Sequence, residues 1–322
     1  MSYGIFAGWV VDHRDYVAAH DALSQEIDFA LDGQAPFFQM LLGPSGMGKS
    51  ELLKDLAAQY APPEGSGERP SVLWIPIRTG SSADDLARTV IQATLGLATV
   101  RERKAALRER ARLTLMSAGA KVVLLDEGNH STEARASRHT QTKLNRQIAD
   151  WLKELLELSG ISVVVAGLVH AERMLTDNEQ LQSRANRSVE LLPYAWYKPE
   201  DRQVFADLIN QFAGHVRMKG YTLEMDEGLM VKAIYLSSGG LIRPVVRLFE
   251  RAVLLRQSTR QLDLGVFAQA FEQCSTSHLD DPFRASKISD EMLNTAHRMA
   301  LELGAVHGKR QPRNLGQGAM HG

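Results

Sequence analysis

Only one cysteine, Cys274, occurs among 322 residues. This excludes an intramolecular disulfide and any zinc site built from several thiolates. An excess of one charge is also missing: Lys and Arg total 37 against 38 Asp and Glu, a net charge of -1. Contact with nucleic acid therefore has to come from local patches. No apolar run is long enough to cross a bilayer, and the opening MSYGIFAGWVVDHRDY lacks the layout of a signal peptide. The expectation is a cytoplasmic chain with no membrane partner. Neither an internal repeat nor a helix-turn-helix, zinc finger or basic–aromatic interleaving is visible. What is present, 44% apolar and 23% charged residues, is too apolar for wholesale disorder. The length suits a main domain of roughly 200 residues with a smaller companion. Arg outnumbers Lys by 26 to 11, which favours forked contacts to phosphate, although genomic composition produces the same bias.

Short apolar runs alternate with helical patterns through the first two hundred residues. Residues 14–33 predict a helix, with Ala18, Leu23, Ile27 and Leu31 at near-helical spacing. Strands are predicted at 37–42 (FFQMLL), from Val72 (VLWIPI), at 122–127 (VVLLDE), at 162–167 (SVVVAG) and at 189–192 (VELL). Helices are predicted at 51–60, 83–97, 101–116 and 143–158, and the polar stretch 128–140 reads as a long loop. Strands alternating with long helices imply a parallel sheet covered on both faces, and such strands are continuously apolar, as VVLL and VVVA are. After Pro199 the pattern turns to helices alone, at 200–212, 226–236, 241–256 and 264–271, with a further helix at 286–303. The last 19 residues hold five glycines, three basic residues and no acidic one, a composition that predicts disorder. The expected organisation is an N-terminal helical segment (1–34), an α/β domain (35–198), a helical lid (199–283) and a C-terminal helix with a basic tail (284–322).

The sharpest signal is GPSGMGKS, Gly43, Pro44, Ser45, Gly46, Met47, Gly48, Lys49 and Ser50, which fits G-x-x-x-x-G-K-[ST] between a strand and a helix. Its glycines let backbone N–H groups face a phosphate, and the helix N-terminus adds a favourable dipole. Lys49 is expected to reach the β- and γ-phosphates of ATP, with Glu51 following in the helix. Ser50 is expected to ligate magnesium. LLDE, ending an apolar strand 76 residues after Ser50, supplies the second half: Asp126 for the metal and Glu127 for the attacking water. The expected reaction is magnesium-dependent hydrolysis of ATP to ADP and phosphate. Charge spreading over the γ-phosphate calls for an arginine from a neighbouring subunit. Arg184 is preferred over Arg187 for that role, the alternative being a salt bridge within the domain. In GGLIR, Arg243 opens a helix of the lid and is expected to lean onto the phosphates, with Arg247 as the second choice. No polar residue ends the strand 162–167; Asn129 and His130 are near candidates for positioning water.

These segments together resemble the TniB/TnsC family of AAA+ ATPases that regulate DNA transposition, over roughly residues 10–283. Beyond the two ATP motifs, the resemblance rests on LLDEGNH, IADWLKELLE (148–157), VVVAGLVHAERML (163–175) and NEQLQSRANR (178–187) leading into VELLPYAW. SGGLIRPVVRLFERA and DPF (281–283) add to it. The family pattern has Asp-Glu-Phe-Gln-His where Gly128 and Asn129 replace Phe and Gln, and an Arg-Phe pair where Arg184 and Ala185 stand. The resemblance implies an AAA+ P-loop NTPase fold, a parallel sheet sandwiched by helices and followed by a small all-helical lid. It further implies ATP-dependent binding to double-stranded DNA and self-assembly into a ring or helical filament. The expected partners are a transposase, which the protein recruits or activates, and a target-selecting adaptor of the TniQ type.

Two stretches offer cations for DNA. Arg101, Arg103, Lys104, Arg108, Arg110 and Arg112 stand against two acidic residues, and Arg135, Arg138, Lys143 and Arg146 stand against Glu133. Phosphate contacts of this kind give affinity without reading bases; the alternative is a solvated helix face laced with ion pairs. The tail with Lys309, Arg310 and Arg313 is either a docking peptide or an inert end. Two rival functions share the motifs: another AAA+ machine such as a helicase loader, and a nucleotide-gated scaffold that does not hydrolyse.

Overall fold

The computed structural model describes residues 4–306 apart from 7, 78–81, 97–103, 127–137, 173–174, 176–177, 225 and 275–280. Five strands form one all-parallel sheet: β1 (Phe38–Leu42), β2 (Val72–Pro76), β3 (Val122–Asp126), β4 (Ser162–Gly167) and β5 (Val189–Glu190), in the order β2-β3-β4-β1-β5. Side chains alternate across a strand, so each strand feeds two cores. Val122, Leu124, Val164 and Ala166 face α1 (Arg14–Leu31) and α2 (Lys49–Gln59), packing with Leu23, Ile27, Leu52 and Leu56. Val123, Leu125, Val163 and Val165 face the other way, onto α3 (Ala83–Leu95), α4 (Lys104–Ser117) and α5 (Arg138–Ser159). Both faces being covered is why these strands read as unbroken apolar runs.

Helix α5 begins at Arg138, inside the stretch expected to be loop. Its buried stripe of Ile148, Trp151, Leu152, Leu155 and Leu156 covers the sheet, while its first turns are polar and carry no apolar period. The four-residue α6 (Glu179–Gln182) follows β4 and leads into β5.

Beyond Pro199 lie α7 (Pro199–Met218), α8 (Glu227–Ser238), α9 (Ile242–Leu255), α10 (Leu264–Cys274) and α11 (Asp290–Val306). They are not helices alone. Strands β6 (Thr222–Glu224) and β7 (Gln261–Asp263) pair in parallel between them; three-residue strands with one inward side chain each leave no period to read. The helical core is aromatic: Phe212 stacks on Phe249 at 5.3 Å, and Phe249 meets Phe267 edge-on at 5.3 Å. Ile5, Phe6, Trp9 and Val11, ahead of α1, belong to this core and are not helical. Phe6 lies 5.3 Å from Phe212, Trp9 stacks on His215 at 4.4 Å, and the His215 Nε2–H donates to the Ile5 carbonyl at 2.7 Å. The described residues thus lead from the helical domain to the sheet at α1.

Candidate nucleotide site

The glycine loop leaves β1 at Leu42 and enters α2 at Lys49. Space demands glycine at its start: a Cβ on Gly43 would stand 2.1 Å from the Leu191 carbonyl oxygen. The Gly43 N–H instead donates to Gly167 at 3.1 Å, tying the loop to the end of β4. Gly46, at φ 94°, combines a left-handed backbone with a tight neighbour, since a Cβ there would lie 2.9 Å from Arg243 Cβ. Met47 is fully buried under α1 and anchors the loop from below, and Tyr16 of α1 packs beside Gly48. Lys49 Nζ donates to the carbonyls of Gly43 and Pro44 at 2.6 and 2.9 Å, which keeps its charge within the loop. A loop closed to side chains at Gly43 and Gly46 and holding the Lys49 ammonium suits a polyphosphate.

Parallel register brings Asp126 to the same end of the sheet. Leu41 pairs with Ala166, and Leu125 pairs with Val165, so Asp126 lies level with Leu41 two strands away, roughly 10 Å in sheet spacing. Asp126 is buried, and its carbonyl accepts the Ile77 N–H at 2.9 Å. Between them β4 ends in Ala166, Gly167 and Leu168, a buried floor without a polar side chain. Ser50 and Asp126 are a donor set suited to magnesium, which takes one or two protein oxygens and leaves its other positions to phosphate and water.

The lid closes directly on the loop. Arg243, in the first turn of α9, donates from its backbone N–H to the Gly46 carbonyl at 2.9 Å and from Nη1 to Ser45 Oγ at 3.1 Å. The sequence pointed to Arg243; the backbone clasp was not readable, because it depends on how α8 hands over to α9.

Arg184 sits elsewhere. Its carbonyl accepts the Phe38 N–H at 3.4 Å, at the start of β1, and its guanidinium is held by Glu157 of α5 and by the Gln180 carbonyl at 2.9 Å. Glu127, Gly128, Asn129, His130, Arg101, Arg103 and Arg135 lie outside the described residues, as do the side chains of Lys104, Arg138 and Lys143. Within the first basic stretch, Arg108 pairs with Asp84 of α3 at 3.0 Å and Arg112 with Glu109.

Sequence reasoning missed the joint between the two domains. His13 caps α1: its Nδ1 accepts the Tyr16 N–H at 3.3 Å and the hydroxyl of Tyr194. Burial pushes the imidazole down to about 4, so it is neutral with its proton on Nε2. Next to it, Arg14 Nη2 binds Asp201 of α7 at 2.8 Å, and Asp201 also accepts the Ala195 N–H at 3.1 Å. Burial raises the Asp201 carboxyl, but these donors bring it below its ordinary value. Tyr235 of α8 donates to the Tyr194 carbonyl and accepts the Trp196 N–H at 2.9 Å. The sequence shows only His13 ahead of a helix that opens with Arg14 and Asp15, which gives no sign of a contact with residues 194 and 201.

A parallel sheet ordered β2-β3-β4-β1-β5, with the loop-bearing strand one in from the edge and a helical domain after it, is the AAA+ form of the P-loop fold. Solved structures agree. Aeropyrum pernix ORC1 in complex with DNA superposes with a TM-score of 0.60 at 15% identity, over 84% of this chain and 69% of that one. Aeropyrum pernix ORC2, in its ADPNP–ADP complexes, gives 0.59 at 12% over 86% and 72%. Cdc6p from Pyrobaculum aerophilum gives 0.57 at 12% over 92% and 83%. At these identities the likeness is one of fold. The chain belongs to the TniB family: residues 10–193 match the family described as Bacterial TniB protein. No curated protein matches it by sequence.

Proposed function

We propose that this chain is a magnesium-dependent ATPase that binds double-stranded DNA, assembles with its own kind on it, and regulates DNA transposition by recruiting or activating a transposase. The observation that carries the nucleotide part is the clasp of Arg243 on Ser45 and Gly46, which makes the lid part of the phosphate loop. Family membership supports the transposition part, and the fold shared with a DNA-bound ORC1 supports the DNA part.

In this reading the loop N–H groups and Lys49 bind the phosphates, and Lys49 exchanges the carbonyls of Gly43 and Pro44 for phosphate oxygen. Ser50 and Asp126 would hold magnesium, which when bound offsets charge on the β- and γ-oxygens. Glu127 accepts the proton of the attacking water, and Arg184 serves a neighbouring copy. Arg243 senses the γ-phosphate and sets the lid. DNA contacts fall to Arg101, Arg103, Lys104, Arg108, Arg135, Arg138 and Lys143, and at Arg108 phosphate has to displace Asp84. The working division is 1–34 for an N-terminal segment, 35–198 for the ATPase domain, 199–283 for the lid and 284–322 for a C-terminal extension, and the partners are the transposase and a target-selecting adaptor of the TniQ type.

Filter binding of arbitrary-sequence duplex should give retention with ATP and with a non-hydrolysable analogue, and little without nucleotide. No retention under any nucleotide condition at low salt removes the DNA part. Glu127→Gln should keep ATP binding and slow turnover; unchanged turnover removes its role as base.

A further inference from the structure

Arg184 is mounted on more than its own segment. Helix α6 has four residues, too few to hold a fixed orientation unaided. Three rungs tie it to α5. Asn178 Nδ2 donates to Asp150 Oδ1 at 3.3 Å, Lys153 Nζ donates to Gln180 Oε1, and Glu157 binds Arg184 Nη2. Residues 150, 153 and 157 share one face of α5, spaced three and four apart. The opposite stripe of that 22-residue helix is buried in the sheet. The last rung is therefore fixed to the rigid core, and Lys153 Nζ also stands 3.7 Å from Glu157 Oε2.

The position of this rung decides which nucleotide Arg184 can reach. Its backbone pairs with Phe38, whereas the phosphate loop starts after Leu42 at the other end of the same strand, about 13 Å along β1. Glu157 draws the guanidinium towards α5, on the opposite face of the sheet from α2. Arg184 thus faces away from its own loop while remaining two-fifths exposed.

We propose that Glu157 is the positioning residue that presents Arg184 to the nucleotide of a neighbouring copy of this chain. The inference rests on the ATPase reading above. In the isolated chain Glu157 holds Nη2 while the Gln180 carbonyl and Ser183 Oγ hold Nη1, so an outside ligand meets a guanidinium fixed from two sides. In an assembly, the incoming γ-phosphate binds an arginine whose orientation is already set, so less ordering has to be paid at contact.

The test is ATP turnover of Arg184→Ala and Glu157→Gln on duplex DNA at assembling concentration, each alone and each mixed with Lys49→Ala subunits. Glu157 is at an exposed edge, so its replacement leaves the fold intact. Arg184→Ala should lose about a thousandfold, and Glu157→Gln about tenfold or more. Inactive Lys49→Ala subunits, which keep Glu157 and Arg184, should restore turnover to both. Full turnover in Glu157→Gln with loss in Arg184→Ala overturns the positioning role and leaves the arginine's role standing. Full turnover in both overturns the arginine's role as well. A Glu157→Gln loss that mixing does not restore places Glu157 within its own subunit's chemistry and overturns the proposal.

Discussion

The two ends of β1 differ in every respect that bears on a phosphate. At its C-terminal end the backbone turns through glycines, a lysine folds into the loop, and an arginine from another domain closes over it. At its N-terminal end an arginine stands at an exposed edge, braced by a carboxylate on a neighbouring helix. In the proposed reading the first end binds phosphate and the second stabilises charge brought to it by another copy. The two lie a strand's length apart, the loop following the last residue of β1 and the Arg184 carbonyl pairing with its first. On that reading each end is completed by another copy, which makes activity depend on the neighbours.

The comparison breaks most sharply if the arginine end proves irrelevant. Arg184→Ala should lower turnover about a thousandfold in assembled protein and leave ATP binding by single chains near wild type, read by a fluorescent nucleotide. Lys49→Ala tests the other end. It should lower turnover by roughly a hundredfold to a thousandfold, but with ATP affinity falling in single chains too, because Lys49 lies in the loop itself. Arg243→Ala sharpens the contrast within the loop end. Losing one charge-assisted contact should weaken ATP binding by roughly thirty- to a hundredfold, and titration of that variant with ATP should show no lid protection in hydrogen exchange at 242–255. Equal protection in variant and wild type would mean that the lid does not read the phosphates through Arg243.

Much of this was legible because it rests on local chemistry. GPSGMGKS has one economical use between a strand and a helix, and strands buried on two faces cannot hide their apolar runs. Arg243 was visible from its place in the first turn of a helix after two glycines. What was not legible depends on long-range register. The bracing of Arg184 joins residues 157 and 184 across α5 and α6, and Lys153 and Glu157 alone read as a solvated i,i+4 pair. The start of α5 reads as loop because its polar residues carry no stripe. The path of residues 4–13 onto the helical domain could not be foreseen either. Phe6 and Trp9 are apolar residues in a stretch too short for any period, and they are claimed by a core two hundred residues away.

The joint at His13 gives the smallest effect, and its sign follows from the hydrogen bonds. His13 Nδ1 accepts from both the Tyr16 N–H and the Tyr194 hydroxyl, so protonation there removes the cap on α1 and forces the Tyr194 hydroxyl to turn from donor to acceptor. Burial lowers the group from 6.5 to about 4, against the opposing pull of Asp15 and Asp12. Between those values the unfolded chain binds more protons than the folded one, so stability rises with pH through this window and is lost as pH falls. The loss from His13 alone should approach 1–2 kcal/mol by about pH 5, above the range where most carboxylates titrate. Burial also lowers His297 in α11, with the same sign, so His13→Asn should flatten the pH dependence without abolishing it. Urea midpoints at pH 7.5, 6 and 5 decide the matter: an equal acid-side drop in wild type and His13→Asn would mean that the joint does not carry the proton-linked stability, and the contrast would then rest on the two ends of β1 alone.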